Sequence, residues 1–132
     1  MNVLVVGSGA REHAITWKLQ HDSNVENVYV ATGNSGTSRI ATNLNINEDD
    51  VRGLIQAVSD FGIDVTFVGP EVPLAAGIVD RFNDADLQII GPNMEAAKIE
   101  SSKVFSKKLM LENGISTGEA EIFDSFDQAK LY

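Results

Sequence analysis

Cysteine is absent from the 132 residues, which excludes a disulfide framework and a thiolate metal site. Positive charge is scarce. Ten Lys and Arg stand against nineteen Asp and Glu, giving a formal net charge of −9. A nucleic-acid binder needs clustered cations against a phosphate backbone, so that class of partner is not expected. A small anionic ligand needs only local positive potential and stays open. No apolar run approaches the length of a membrane span, so no membrane partner is expected either. The N-terminus has neither a basic leader nor a cleavage signal, so a secretory peptide is not expected. A cytoplasmic location agrees with these absences. No internal repeat and no low-complexity segment interrupts the chain. What is present, 43% hydrophobic and 22% charged residues, is the composition of a soluble globular domain of ordinary size.

The pattern alternates between strand and helix. Asn2 to Val6 is a continuous apolar run ending at Gly7, as in a strand buried on both faces. A helix is expected from Ala10 to His21, with Ala10, Ala14, Ile15 and Leu19 on its apolar face. Val28 to Ala31 reads as a strand, and a short one is expected near Leu44 to Ile46. Asn47 is the expected N-cap of the next helix, with Val51, Leu54, Ile55 and Val58 at helical spacing and Gly62 as its C-cap. Val65 to Val68 is a strand ending at Gly69-Pro70. Leu74, Ala75, Ile78, Val79 and Phe82 mark a further helix, and Leu87 to Ile90 a further strand. The fold class expected is α/β, an open parallel sheet with helices on both faces. Beyond it, a helix ends near Gly114, Glu121 to Phe123 reads as a strand, and a helical pattern begins near Phe126. The chain stops inside that pattern, so a C-terminal continuation is expected.

The glycines suggest where a ligand binds. Gly7, Gly33, Gly69 and Gly91 each follow a strand, and open parallel sheets bind ligands outside the carboxyl ends of their strands. Gly7-Ser8-Gly9-Ala10-Arg11-Glu12 can present amides and a helix N-terminus to a phosphate. A dinucleotide fingerprint wants a third glycine where Glu12 stands, and an acid where Ala31-Thr32 stand. The pattern therefore speaks for an anion and against NAD. Arg11 faces the positive end of the helix dipole, a conflict that a bound phosphate relieves. Glu71 sits in a turn stiffened by Pro70 and Pro73. It serves either sugar hydroxyls and an amine or simply the helix N-terminus. His13 and Trp17 read as structural. Lys98, Lys103, Lys107 and Lys108 hold nucleotide phosphates or form the solvated face of a helix that buries Val104, Phe105 and Leu109. Spacing alone favours the second reading.

The ordered set Val3-Leu4-Val5-Val6-Gly7-Ser8-Gly9-Ala10-Arg11-Glu12-His13, Gly33-Asn34-Ser35-Gly36-Thr37, Val68-Gly69-Pro70-Glu71-Val72-Pro73-Leu74, Gly91-Pro92 and Glu100-Ser101-Ser102-Lys103 resembles the opening of the glycinamide ribonucleotide synthetases. Departures are few. Ala10, Thr32, Asn93 and Ser116 stand where that family usually has Gly, Pro, Thr or Ser, and Pro.

The resemblance implies a Rossmann-like leading domain over residues 1–100 and the beginning of an ATP-grasp domain over 101–132. It implies an ATP-dependent ligase of purine biosynthesis with Mg2+ or Mn2+, joining glycine to 5-phosphoribosylamine through glycyl phosphate. Gly7, Gly9, Arg11, Asn34 and Glu71 are the residues it assigns to phosphoribosylamine, and Lys103 to ATP. Catalytic and metal-binding residues are expected beyond Tyr132, so the chain alone is expected to be inactive and the full-length form a monomer. The alternatives are another ATP-grasp carboxylate–amine ligase or a dinucleotide-binding oxidoreductase domain.

Overall fold

A computed structural model describes residues 1–132, which form two compact units, Met1–Ala97 and Lys98–Tyr132. The first unit is built on five parallel strands: β1 (Asn2–Gly7), β2 (Asn27–Thr32), β3 (Thr42–Leu44), β4 (Val65–Val68) and β5 (Ile89–Ile90). Their order across the sheet is β3-β2-β1-β4-β5. β1 lies at the centre, pairing with β2 in the register Val5↔Val30 and with β4 in the register Val5↔Phe67. Its run Val3 to Val6 is buried on both faces, as its unbroken apolar sequence requires.

The helices of this unit are α1 (Ala10–Gln20), α2 (Val51–Phe61), α3 (Glu71–Ala75) and α4 (Ile78–Asp84), with a 3-10 turn at Thr37–Arg39. α5 (Met94–Ser101) follows β5 and buries Ala97 in the same core. On one face of the sheet, Leu4, Val6, Ala31 and Val68 pack against Leu54, Val58, Leu74, Ile78 and Phe82. On the other, Val5, Val28 and Val30 pack against Ile15 and Leu19 of α1. Asp22, in the turn after α1, accepts hydrogen bonds from the backbone N–H and side-chain amide of Asn24. These hold its carboxyl below the usual carboxylate range.

Several sequence expectations shift by a turn. The N-cap of α2 is Asp50, whose carboxylate accepts from the Gly53 N–H at 2.9 Å, because residues 47–50 form a turn of their own. Gly62 does close α2, at φ 58°. The helix expected from Leu74 to Phe82 is broken at Gly77, whose φ of 83° no helix accommodates. β3 lies at Thr42–Leu44 rather than Leu44–Ile46, and β5 is reduced to two residues at the sheet's edge. α1 turns Glu12 and Thr16 inward rather than Ala10 and Ala14, with the Thr16 hydroxyl donating to the Glu12 carbonyl at 2.7 Å. Trp17 is 54% exposed and packs against the His21 ring.

In the second unit, α6 (Lys103–Glu112) is capped by Ser102 and α7 (Phe126–Leu131) by Ser125. Glu121 to Phe123 form no strand. Val104 is exposed and Phe105 and Leu109 only half-buried, because no side chain of α6 is fully enclosed.

Two substitutions test this packing by denaturant unfolding. Phe82 is fully buried, so Phe82→Ala is expected to cost about 3–5 kcal/mol. Thr66 is equally buried and its hydroxyl oxygen has no hydrogen-bond partner. Thr66→Val, of nearly the same shape, is expected to stabilise by about 1 kcal/mol.

Candidate functional site

The chain reverses its direction of travel across the sheet between β1 and β4. From β1 it moves to β2 and β3; from β4 it moves the opposite way to β5. The loops leaving β1 and β4 therefore part, and a crevice opens at their carboxyl ends. A cavity of about 250 Å³ lies there, lined by Gly9, Ala10, Arg11, Glu12, Pro70 and Glu71.

Glu12 organises this crevice. Its side chain is only 4% exposed, and its carboxylate accepts the Gly9 N–H at 2.7 Å, closing the first turn of α1 from within. Three glycines make room for it. A Cβ on Gly7 (φ 126°) would stand 2.7 Å from the Glu12 Cγ and 2.9 Å from the Pro70 ring. One on Gly9 would stand 2.8 Å from a Glu12 carboxylate oxygen, and one on Gly69 would meet the same carboxylate. The turn glycines thus serve a buried acid.

Arg11 reaches across the crevice and donates to the Gly69 carbonyl, joining the β1 and β4 turns. A guanidinium carries five N–H donors, so others remain for a ligand. Glu71 is the first residue of α3, exposed on the opposite wall. The ladder itself extends past the strands, with the Gly69 N–H donating to the Val6 carbonyl and the Gly33 N–H to the Gly7 carbonyl, each at 3.1 Å.

Asn34 joins the neighbouring turn to this site. Its side-chain amide donates to the Ser8 and Gly9 carbonyls at 2.9 and 3.3 Å, and its oxygen accepts from the N–H groups of Gly36 and Thr37. The buried Thr37 hydroxyl donates to the Asn43 side-chain oxygen at 2.8 Å, and the Asn43 amide returns a bond to the Asn34 carbonyl. The Ala31–Thr32 peptide beside this loop is cis.

Of the residues singled out from sequence, Gly9, Arg11 and Glu71 line one crevice, and Gly7 lies buried beneath it against the Glu12 side chain. Asn34 supports it from the side, with both ends of its amide engaged within the chain. Lys103 belongs to the second unit, at the first position of α6, and lines a cavity of about 390 Å³ with Glu100, Ser106 and Lys107. Lys107 is held by Thr117 and the Gly118 carbonyl. Glu12, Thr37 and Asn43 were not singled out. Glu12 carried a readable signal, an acid at the third position of a helix after a small N-cap. Asn43, a polar residue in a short edge strand, carried none.

This geometry defines a doubly wound α/β domain with a polar, carboxylate-lined crevice at its switch point. The family described as phosphoribosylglycinamide synthetase, N domain, matches residues 1–100, and the chain belongs to it. The chain is 52% identical over all 132 residues to a phosphoribosylamine–glycine ligase of Halalkalibacterium halodurans, covering 31% of that protein. It is 44% identical over 135 aligned residues to a ligase of the same name from Chlorobaculum tepidum, covering 32% of it. The chain therefore spans about a third of the length of the curated relatives it matches. Among solved structures, a phosphoribosylamine–glycine ligase of Thermotoga maritima superposes with a TM-score of 0.65 and 28% identity, over 90% of this chain and 26% of that one. An N5-carboxyaminoimidazole ribonucleotide synthetase of the same organism shares the fold at a TM-score of 0.70 and 18% identity, over 97% of this chain and 35% of that one.

Asn34→Ala removes the acceptor of two backbone N–H groups and the donor to two carbonyls. It is expected to cost about 1–3 kcal/mol in urea unfolding, whether or not ligand is present.

Proposed function

We propose that this chain is the N-terminal, substrate-binding part of an ATP-dependent ligase that joins glycine to 5-phosphoribosylamine. The products would be glycinamide ribonucleotide, ADP and phosphate. The observation that carries this reading is the crevice between β1 and β4, where Gly9, Arg11, Glu12 and Glu71 converge. Those residues lie within the span that matches the family, and the relatives named above are phosphoribosylamine–glycine ligases.

The chemistry of the crevice suits a phosphorylated aminosugar. The Glu71 carboxylate accepts hydrogen bonds from ribose hydroxyls or from the amine. The free guanidinium donors of Arg11 take the phosphate in a charge-assisted contact. Holding the amine still at the strand ends prepares it to attack an activated glycine carboxylate, the advantage being one of proximity. Residues 98–132 begin the ATP-grasp region in this reading, with Lys103 toward the nucleotide.

ATP with a divalent metal supplies the activation of the carboxylate in such ligases. Metal binding and phosphoryl transfer are assigned, in this reading, to the portion found in the longer relatives, since the chain spans about a third of their length, and the chain alone is expected to bind without turnover. The full-length protein is read as a cytoplasmic monomer.

The dinucleotide alternative is disfavoured by the same geometry. Glu12 takes the Gly9 N–H that a pyrophosphate would need and places a negative charge beside it.

Calorimetric titration with glycinamide ribonucleotide tests the reading, with NADH as control. Saturable binding of the ribonucleotide is expected, weakened about tenfold or more in Arg11→Ala, as for loss of one charge-assisted contact. Binding of NADH alone would overturn it.

A further inference from the structure

Closing the first turn of α1 needs only one of the two Glu12 oxygens. Oε2 accepts the Gly9 N–H at 2.7 Å. Oε1 lies against Gly69, just past the end of β4, and no donor of the chain bonds it. The residue is 4% exposed, and glutamate is rarely so enclosed unless its charge is matched. The Thr66 hydroxyl is the one fully enclosed side-chain polar atom of the chain that lacks a partner, so Oε1 is not sealed in. It opens on the crevice, whose lining includes Glu12 together with Arg11 and Glu71.

The glycines around the acid divide between its two oxygens. A Cβ on Gly9 would meet Oε2, the oxygen that closes the turn, whereas one on Gly69 would meet Oε1. Gly69 is not among the glycines with positive φ, so lack of space and not backbone conformation excludes a side chain there. Holding the Gly9 N–H calls for no glycine in the β4 turn. The space at Gly69 keeps the second oxygen on the crevice floor. A carboxylate offers about four acceptor positions, and the chain fills one of them. Walled by turns on both sides, Glu12 is a preorganised acceptor that loses little freedom when a donor arrives.

We infer that Glu12 is a specificity-determining contact of the crevice. Its Oε1 accepts a hydrogen bond from an O–H or N–H at the sugar end of the ligand, while Oε2 stays on the Gly9 N–H. A donor group gains a charge-assisted bond at this point, and an anionic group placed there meets a like charge. Glu12 therefore selects a sugar phosphate over a bare phosphate. Glu71, exposed at the start of α3, offers a second acceptor from the opposite wall. This inference rests on the functional reading above, that the crevice takes a phosphorylated aminosugar.

Glu12→Gln tests it, because the amide oxygen can keep the Gly9 N–H while the NH2 group sets a donor where Oε1 stood. Wild type and variant are titrated with glycinamide ribonucleotide, ribose 5-phosphate and inorganic phosphate, followed by backbone amide NMR shifts. The variant is expected to bind the ribonucleotide about tenfold or more weakly and inorganic phosphate within about twofold of wild type, as for loss of one charge-assisted bond. An equal loss for ribose 5-phosphate names a hydroxyl as the donor; a loss confined to the ribonucleotide names the N–H on the anomeric carbon. The carboxylate carbon resonance of Glu12 in wild type is a second measure that needs no substitution. It is expected to move with the ribonucleotide and to stay in place with phosphate alone. Unchanged binding of both sugar phosphates by the variant, or an unmoved carboxylate resonance at saturation, overturns the inference. So does equal weakening of all three ligands, which leaves the acid only the task of holding the Gly9 turn. Glu12-dependent binding of ribose 5-phosphate without binding of the ribonucleotide supports the contact and overturns the functional reading instead. Wild type that binds none of the three overturns both.

Discussion

The carboxylate of Glu12 is the constraint on which the binding end of this domain depends. A charged group so enclosed is tolerable only with hydrogen bonds and room, and both are supplied by the turns around it. The Gly9 N–H provides the bond, and Gly7, Gly9 and Gly69 provide the space. Remove the acid and the three glycines lose their common purpose. Add a Cβ to any of them and the acid must move. The β1 and β4 turns are therefore positioned by one side chain from α1, with Arg11 of the next position binding the far turn by its carbonyl.

This arrangement separates the domain from dinucleotide-binding domains of doubly wound topology. There, glycine at the third fingerprint position brings helix and strand together and leaves the helix N-terminus free for pyrophosphate. Here an acid fills that place and occupies the N-terminal amide. The crevice becomes one of mixed charge, with carboxylates on its floor and wall and a guanidinium between. Such a site sets hydrogen-bond acceptors and a charge-assisted donor side by side.

The sheet was legible in the sequence wherever apolar runs were unbroken. β1 is buried along almost its whole length and β4 on one face, and the apolar runs of both left little ambiguity. Legibility failed where short-range chemistry prevailed over periodicity. Asn47 and Asp50 are both good caps, and only the turn they share decides between them. The apolar spacing from Leu74 to Phe82 is helical on both sides of Gly77, and a positive φ leaves no trace in spacing. The inward face of α1 was only half legible: Ile15 and Leu19 pack on the sheet as their spacing indicates, but its fully buried residues, Glu12 and Thr16, are polar and satisfied by the backbone. Around the crevice, the places of Gly9, Arg11 and Glu71 just after strands could be read from spacing. The Asn34–Thr37–Asn43 group could not, since its members meet only through the fold.

The break at Gly77 has a bearing on how the domain can change over time. It divides one helical stretch into a five-residue piece that carries Glu71 to the crevice and a seven-residue piece that carries Phe82 into the core. The crevice wall and the core anchor thus fall on segments whose backbones are uncoupled by a single left-handed residue. Substitutions in the first segment alter what the crevice wall presents while Ile78, Val79 and Phe82 hold the sheet as before. A domain divided in this way can vary the surface of its crevice wall without first losing its stability.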